Sequence, residues 1–152
     1  MNFIVSDTIS FLSTTFPKIY SSFYLEDLKK YAPRYNINKT QLRALMFIKN
    51  NGSITMIDLC SMLNIEKGSL TSMVDDLSKK GFVFREKDLF DKRKFVINIT
   101  NKGDMVASEF MGKLSEGLEE KFLRLSEEDR NKYVESINNL RDILSKDEFN
   151  EK

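Results

Sequence analysis

One segment of the chain begins with small and polar side chains at helical spacing. Its polar members are Lys67, Gly68, Ser69, Thr71 and Ser72. The apolar residues among them recur every three or four positions, as the buried face of a helix requires; they are Leu70, Met73, Val74 and Leu77. Short side chains at the start of a helix let backbone amides approach phosphates and let hydroxyls reach the edges of bases. The alternative is a capped helix on a solvated face, and the segment alone does not choose between them.

A second, basic segment lies between two stretches typical of β-strands. Residues 82–87 and 95–100 are rich in β-branched and aromatic side chains, so the polar residues between them are expected at the tip of a hairpin. An arginine at such a tip suits a narrow minor groove, and a neighbouring carboxylate is expected to hold its guanidinium in place. The residues concerned are Asp91, Lys92, Arg93 and Lys94. Taken alone, they fit a charged turn that keeps the hairpin soluble; directly after the helical segment, the groove interpretation is preferred.

Two absences restrict the chemistry. The 152 residues include no histidine and a single cysteine, Cys60. Histidine-based triads, the usual zinc sites and an internal disulfide are therefore excluded, and we expect no enzyme, no metal and no cofactor. An enzyme that uses only carboxylates, lysines or tyrosines is the remaining catalytic alternative, but no such group stands out. Cys60 shares an apolar face with Leu63, which favours a packed thiol over a redox sensor.

The distribution of charge differs between the two parts of the chain, which indicates that they have different partners. Residues 1–103 carry a net charge of +6 and residues 104–152 a net charge of −5. This asymmetry is consistent with a polyanionic partner for the first part only. No apolar run approaches the roughly 18 residues that a membrane span needs, and residues 1–7 lack a basic leader. We therefore expect a cytoplasmic protein without a membrane partner.

Several helices must position the two segments. Apolar spacing predicts a helix over residues 7–31, in which Pro17 either causes a kink or starts a second helix. Asn38 and Gln41 form the pattern of a capping box at the start of the next helix. A short helix follows, whose apolar positions are Ile57, Leu59, Cys60 and Leu63. After the hairpin, apolar stripes predict one helix of more than 20 residues from Asn101 and another from Ser126.

In this order, residues 37–103 resemble the MarR family of regulators. The similar segments are Ile37-Asn38-x-x-Gln41-x-x-x-Leu45, residues 58–65, residues 70–83, Asp91-Lys92-Arg93 and residues 99–103. The resemblance implies a mainly α (α+β) fold: a winged helix-turn-helix with long N- and C-terminal dimerisation helices. It implies a dimerisation region over residues 1–36, a DNA-binding domain over residues 37–103 and C-terminal dimerisation helices over residues 104–152.

The resemblance also implies partners and roles. We expect a triangular homodimer that straddles pseudo-palindromic double-stranded DNA, with Lys67, Gly68, Ser69, Thr71 and Ser72 in the recognition helix and Asp91, Lys92, Arg93 and Lys94 in the wing. Contacts to the DNA backbone are assigned to Asn38, Lys39 and Thr40. Many members are repressors released by a small aromatic ligand or by thiol oxidation, so a small-molecule effector is expected here without an identified binding site.

Three residues depart from the family pattern. Glu66 stands where a serine or threonine commonly caps the recognition helix, and its charge would repel a nearby phosphate. Pro17 interrupts the first helix, and Cys60 lies outside the first helix, where thiol-sensing members carry their cysteine. The alternative is a protein-interaction adaptor or anti-repressor that has the winged fold but little DNA affinity. The near-neutral charge and Glu66 favour it, and Asp91 and Arg93 in the wing argue against it.

Overall fold

The computed structural model describes residues 2–146. Helices account for most of this part of the chain, with one small sheet. The α-helices are α1 (Asn2–Ser10), α2 (Phe16–Tyr20), α3 (Glu26–Tyr31), α4 (Lys39–Asn51), α5 (Met56–Leu63), α6 (Lys67–Lys79), α7 (Asn101–Phe122) and α8 (Glu127–Leu144). The strands are β1 (Ser53–Thr55), β2 (Val83–Lys87) and β3 (Phe95–Ile99). A mainly helical fold with a strand hairpin is confirmed.

The chain divides into two compact units, Met1–Leu114 and Ser115–Lys152, and the boundary falls inside α7. Among residues 2–146, no helix is both long and apolar enough to span a bilayer. The first unit contains the sheet and all the residues assigned above to the recognition helix, the wing and the contacts to the DNA backbone. In the second unit, Ser126 caps α8 by accepting a hydrogen bond from the Asp129 amide at 3.1 Å, as the sequence predicts.

Pro17 does not end the first helical segment. Turns of π type at Phe11–Thr15 and Ser21–Leu25 join α1, α2 and α3, and the amide of Phe16 donates to the carbonyl of Phe11. Pro17 has no amide hydrogen to donate, so it takes the first turn of α2 immediately after the widened turn. The backbone is therefore helical on both sides of Pro17, with one π-type turn just before α2 and another just after it.

The core of the first unit forms around α4. Asn38 caps this helix: its side-chain oxygen accepts from the amides of Thr40 and Gln41, both at 2.9 Å, while Gln41 Oε1 accepts from the Asn38 amide at 2.8 Å. The predicted capping box is thus confirmed. The largest fully buried side chains are Phe110, Leu28, Leu42, Leu45, Ile48, Leu59, Leu70, Leu77, Ile97 and Val74.

The sheet has three antiparallel strands in the order β1-β3-β2. The hairpin of β2 and β3 is as predicted, with Val83 opposite Ile99 and Lys87 opposite Phe95. Strand β1 was not among the predicted strands, but its Ile54 pairs with Ile97 of β3. Three residues are too few to show a period of two, so this pairing could not be inferred from the sequence.

The base of the hairpin is attached to the start of α7. Thr100 donates its hydroxyl to the Gly81 carbonyl at 2.7 Å and accepts from the Gly103 amide at 3.0 Å. Gly103 lies so close to β2 that a Cβ atom there would be 2.1 Å from the carbonyl oxygen of Phe82. Only glycine fits this contact, which fixes where the hairpin leaves the helical core.

Candidate nucleic-acid interface

The helix-turn-helix is formed by α5 and α6. Asn64 adopts a left-handed conformation with φ 53° and ends α5, and Glu66 starts α6 from an extended conformation without a side-chain cap. Burial of one apolar face then orients α6; its buried residues are Leu70, Val74 and Leu77. The opposite face, as predicted, exposes Lys67, Gly68, Ser69 and Ser72, with Thr71 half-buried.

The polar residues of α6 differ in what they can still bind. The Thr71 hydroxyl donates to the Lys67 carbonyl at 3.0 Å, so its hydrogen is already engaged within the helix. The hydroxyls of Ser69 and Ser72 make no hydrogen bond with the described part of the chain. A Cβ atom on Gly68 would meet nothing within 4 Å, so no intramolecular contact requires glycine at this position. The first turn of α6 therefore presents two free hydroxyls and little side-chain bulk.

The wing, residues 83–99, carries the basic tip. Asp88 Oδ1 accepts from the amides of Phe90 and Asp91, both at 2.8 Å, and these bonds hold the pKa of the Asp88 carboxyl below its ordinary value. The Asp88 amide donates to the Lys94 carbonyl at 3.0 Å, which closes the loop. The tip is thus a hydrogen-bonded turn with exposed Lys92 and Arg93.

Asp91 does not hold the guanidinium of Arg93, so this expectation was wrong. Its carboxylate accepts from the Arg93 amide at 3.1 Å and lies 3.7 Å from Lys94 Nζ. An aspartate two residues before an amide readily closes a local turn, and that geometry directs the carboxylate toward the backbone. Within the described residues the Arg93 guanidinium has no ion-pair partner, so its charge is available to a ligand.

The recognition helix and the wing share one groove. A cavity of about 480 Å³ is bounded by Lys67 at the start of α6 and by Arg93 and Lys94 at the base of the wing tip. The remaining lining residues are Thr55, Met56, Ile57, Asp58 and Phe95. Three cations against one carboxylate give this groove a positive balance, which suits a polyanion. Residues predicted separately from two segments therefore meet at one surface.

An ion pair ties the wing to α6. Arg85 Nη2 of β2 lies 2.9 Å from Asp75 Oδ1 of α6. Arg85 also lines a smaller cavity of about 170 Å³ together with Met56, Thr71 and Phe95. Sequence reasoning missed both members of the pair, because the contact depends on how the hairpin packs on the helix. The one available signal was a cation directly after the apolar residues 82–84 of the predicted strand.

The residues assigned to the DNA backbone lie elsewhere. Asn38 lines a separate cavity of about 420 Å³ beside Asp76 and Lys80, at the far end of α6. Lys67 and Asp76 are nine positions apart, which corresponds to about 14 Å along the helix. Lys39 is exposed and Thr40 is half-buried, but the side-chain oxygen of Asn38 is occupied by its cap.

A hydrogen-bond network fixes this far end. Asp76 Oδ2 accepts from Gln41 Nε2 and from Lys80 Nζ, both at 2.6 Å, and Lys80 also donates to the carbonyl of Asn36 at 2.8 Å. The hydrogen bonds from Lys80 and Gln41 lower the pKa of Asp76. Helices α4 and α6 are thereby joined through one carboxylate.

Cys60 is half-buried against the core, and its thiol donates to the Ile65 carbonyl at 2.8 Å. This contact agrees with a packed thiol. Ile57, by contrast, was expected on the apolar face of α5 but is 76% exposed. In a helix of eight residues, Leu59 and Leu63 alone define the buried side, and Ile57 points away from it.

Comparison with known proteins identifies this architecture. The model of the MarR family matches residues 37–95. The multiple antibiotic resistance protein MarR of Salmonella typhimurium is 32% identical over 82 residues, which cover 54% of this chain and 57% of that protein. The HTH-type transcriptional regulator SarZ of Staphylococcus aureus is 29% identical over 124 residues, which cover 80% of each chain. The match to MarR thus spans little more than half of its length.

Solved structures extend the likeness of fold over nearly the whole chain. A MarR family protein from Bacillus stearothermophilus superposes with a TM-score of 0.78 at 20% identity, covering 93% of this chain and 98% of that one. The transcriptional regulator BldR from Sulfolobus solfataricus gives a TM-score of 0.69 at 22% identity, covering 91% and 96%. The name of SarZ is that of a transcriptional regulator and not of an enzyme, in agreement with the expectation of a non-catalytic chain. In its helix-turn-helix, its wing and these matches, the chain is similar to the MarR family, whose model covers residues 37–95 of it.

Proposed function

We propose that the chain is a sequence-specific DNA-binding transcriptional regulator, a repressor that binds a pseudo-palindromic operator as a homodimer. The observation that carries the proposal is the groove in which Lys67 of α6 meets Arg93 and Lys94 of the wing. One polyanionic ligand can contact both elements at once there. Residues 37–103 supply the DNA contacts, and a cytoplasmic location accompanies this role.

Helix α6 and the wing contact different parts of the duplex. Helix α6 enters the major groove by its first turn, where Ser69 and Ser72 reach base edges and Lys67 contacts phosphate. The wing follows the neighbouring backbone, and Arg93 enters the minor groove, where the negative potential is enhanced. Lys39 and Thr40, at the start of α4, contact the backbone near the other end of α6. The helix supplies sequence discrimination, and the cations supply most of the affinity.

The terminal helices supply the second copy of the site. Neither α1 nor α8 buries any residue within the single chain. Their exposed apolar residues include Phe3, Ile4, Val5 and Ile9 on α1 and Val134, Ile137, Leu140 and Ile143 on α8. Apolar helix faces of this extent need a partner, and a second copy of the chain is the partner that two half-sites require.

A small aromatic ligand releases the repressor in this proposal. The first unit contains a group of aromatic rings in which Tyr24 and Tyr31 pack on Phe110, with centroids 6.2 and 6.1 Å away. Burial raises the pKa of Tyr24, so its hydroxyl stays neutral and can donate. Arg43 Nε is buried without a hydrogen-bond partner among the described residues. Apolar rings beside an unused cationic donor suit an aromatic carboxylate. We expect benzoate to release bound duplex from the wild type. The variant Arg43→Met should no longer respond to benzoate.

The adaptor alternative keeps one observation in its favour. Glu66 is exposed at the start of α6, the point that would approach a phosphate, and it caps nothing. An adaptor with this fold would bind a protein through the same face and leave DNA alone. Replacement of Glu66 by serine separates the two functions, because a regulator should bind DNA more tightly after the change and an adaptor should remain inactive.

The experiment is a selection of genomic fragments by the purified full chain, followed by sequencing. We expect enriched fragments to share an inverted repeat with half-sites about one helical turn apart. The matched control is the double variant Lys67→Ala/Arg93→Ala, which keeps the fold but removes two cations of the groove. Equal enrichment by wild type and control would contradict the proposal.

A further inference from the structure

The tip of the wing carries two apolar side chains that are almost wholly in solvent. Phe90 is 99% exposed and Leu89 is 89% exposed, the two highest values among large apolar side chains of the described residues. They lie in a loop whose other members are charged. Apolar side chains that are exposed to water in this way are unfavourable in the free protein and point to a contact made with a partner.

The backbone beneath these side chains is held in place. The Asp88 carboxylate accepts from the Phe90 and Asp91 amides, both at 2.8 Å. The Lys94 amide donates to the Asp91 carbonyl at 2.8 Å, so the loop is closed from both sides. Phe90 is therefore presented outward by a defined turn, which reduces the conformational entropy lost when the ring is buried by a partner.

The surroundings of the two side chains match a polyanion. Lys87, Lys92 and Arg93 form no ion pair with the described part of the chain. The carboxylates of Asp88 and Asp91 are engaged by backbone amides of the loop. The tip also continues into the groove shared by Arg93, Lys94 and Lys67. This continuity favours duplex DNA over an unrelated protein or an anionic membrane as the occupant.

We propose that Phe90, supported by Leu89, is an apolar wedge that enters the minor groove and packs between two base pairs. The inference rests on the proposed function and adds to it a contact that is neither ionic nor a base-edge hydrogen bond. Apolar side chains inserted at a base step unstack it partially and bend the duplex. Lys92 and Arg93 then neutralise the phosphates that the bend brings closer.

Fluorescence tests the insertion directly. The chain contains no tryptophan, so Phe90→Trp places a single indole at the wing tip. Phe84→Trp is the matched control, because Phe84 lies in the stem of the same hairpin and alternates with Arg85, which faces α6. Titration with a duplex from the genomic selection should quench the emission of the tip variant and leave that of the stem variant unchanged. Anisotropy of a label on the duplex reports binding in the same titration.

A second variant distinguishes an apolar contact by Phe90 from an ionic contact between the wing tip and DNA. Phe90→Ala should weaken binding about tenfold at every salt concentration, without changing the salt slope, and should reduce the bend measured by energy transfer between the duplex ends. Lys92→Ala should instead flatten the salt slope by about one. These two responses differ because an apolar contact releases no counterions.

Each outcome decides the matter. Bound duplex with unchanged emission of the tip variant and unchanged affinity of Phe90→Ala overturns the wedge and leaves the proposed function intact. Failure of the wild type to bind any duplex overturns both. Quenching by vesicles of phosphatidylglycerol and phosphatidylcholine assigns the tip to a membrane. Quenching by raised protein concentration without DNA assigns it to a second copy of the chain. Either result also overturns the wedge.

Discussion

Asp75 of α6 and Arg85 of β2 are joined by an ion pair in which Arg85 Nη2 lies 2.9 Å from Asp75 Oδ1. Both side chains are one third to one half exposed, so the pair adds little to the stability of the fold. Its position is more informative than its energy. It fixes the spacing between the helix that carries Lys67 and the wing that carries Arg93, and the proposed interface needs both elements in register.

Removal of this pair should weaken DNA binding. Loss of the Asp75 charge alone would strengthen the attraction to phosphate, so Asp75→Ala distinguishes electrostatics from positioning. We expect affinity to fall about threefold to tenfold, with a change of less than about 1 kcal/mol in the free energy of unfolding. Lys132→Ala is the control, because it breaks the exposed Lys132–Glu128 pair of α8 and should change neither quantity. Tighter binding by Asp75→Ala would exclude a positioning role.

Gly103 is required by the approach of α7 to the wing. In Gly103→Ala the new methyl group would lie 2.1 Å from the Phe82 carbonyl oxygen and 2.8 Å from Ile99 Cγ1. We expect the free energy of unfolding to fall by about 1–3 kcal/mol in urea denaturation. Gly112→Ala in the same helix meets nothing within 4 Å and should stabilise by up to about 1 kcal/mol. Equal effects of the two substitutions would contradict this account.

Asp76 should make stability depend on acid pH. Hydrogen bonds from Lys80 and Gln41 lower the pKa of Asp76 in the folded chain, so the unfolded chain binds a proton there more readily. The contribution is complete above the ordinary aspartate pKa of about 4 and disappears as the pH falls through the lower, folded value. We expect the wild type to lose stability on acidification more steeply than Asp76→Asn, as measured by thermal unfolding at each pH. Parallel curves for the two proteins would refute the assignment.

Local patterns predicted those elements that local chemistry determines. The capping box of Asn38 and Gln41, the exposed face of α6 and the hairpin of β2 and β3 all follow from short-range spacing and are confirmed. Contacts between distant segments were not accessible in this way. The Arg85–Asp75 pair and the pairing of Ile54 with Ile97 depend on how the hairpin packs, which no local period records.

Two errors have a common cause. Asp91 was expected to bind the Arg93 guanidinium but accepts the Arg93 amide, and Ile57 was expected in the core but is exposed. In both cases the role was assigned from the type of residue, without regard to the direction in which its side chain points. A turn fixes the direction of an aspartate side chain, and two residues, or about 200° around a short helix, separate Ile57 from the buried Leu59.

The exposed apolar stripe of α8 should be a dimer contact. Sedimentation analysis at micromolar concentration is expected to give a dimer for the wild type and a monomer for Leu140→Glu, because the substitution puts a charge into the proposed apolar interface. Ile57→Glu is the control, since it changes an exposed apolar residue outside the terminal helices and should leave the dimer intact. A wild type that stays monomeric would contradict the proposed assembly.

The central claim is that a cationic groove shared by α6 and the wing binds duplex DNA. Titration of a labelled duplex from the genomic selection at several salt concentrations tests it most directly, with wild type and Arg93→Ala compared side by side. The wild type should show a steep negative dependence of affinity on salt, and Arg93→Ala should bind about 1–3 kcal/mol more weakly with a slope smaller by about one. Wild-type binding that is absent, or that does not change with salt, would contradict the account.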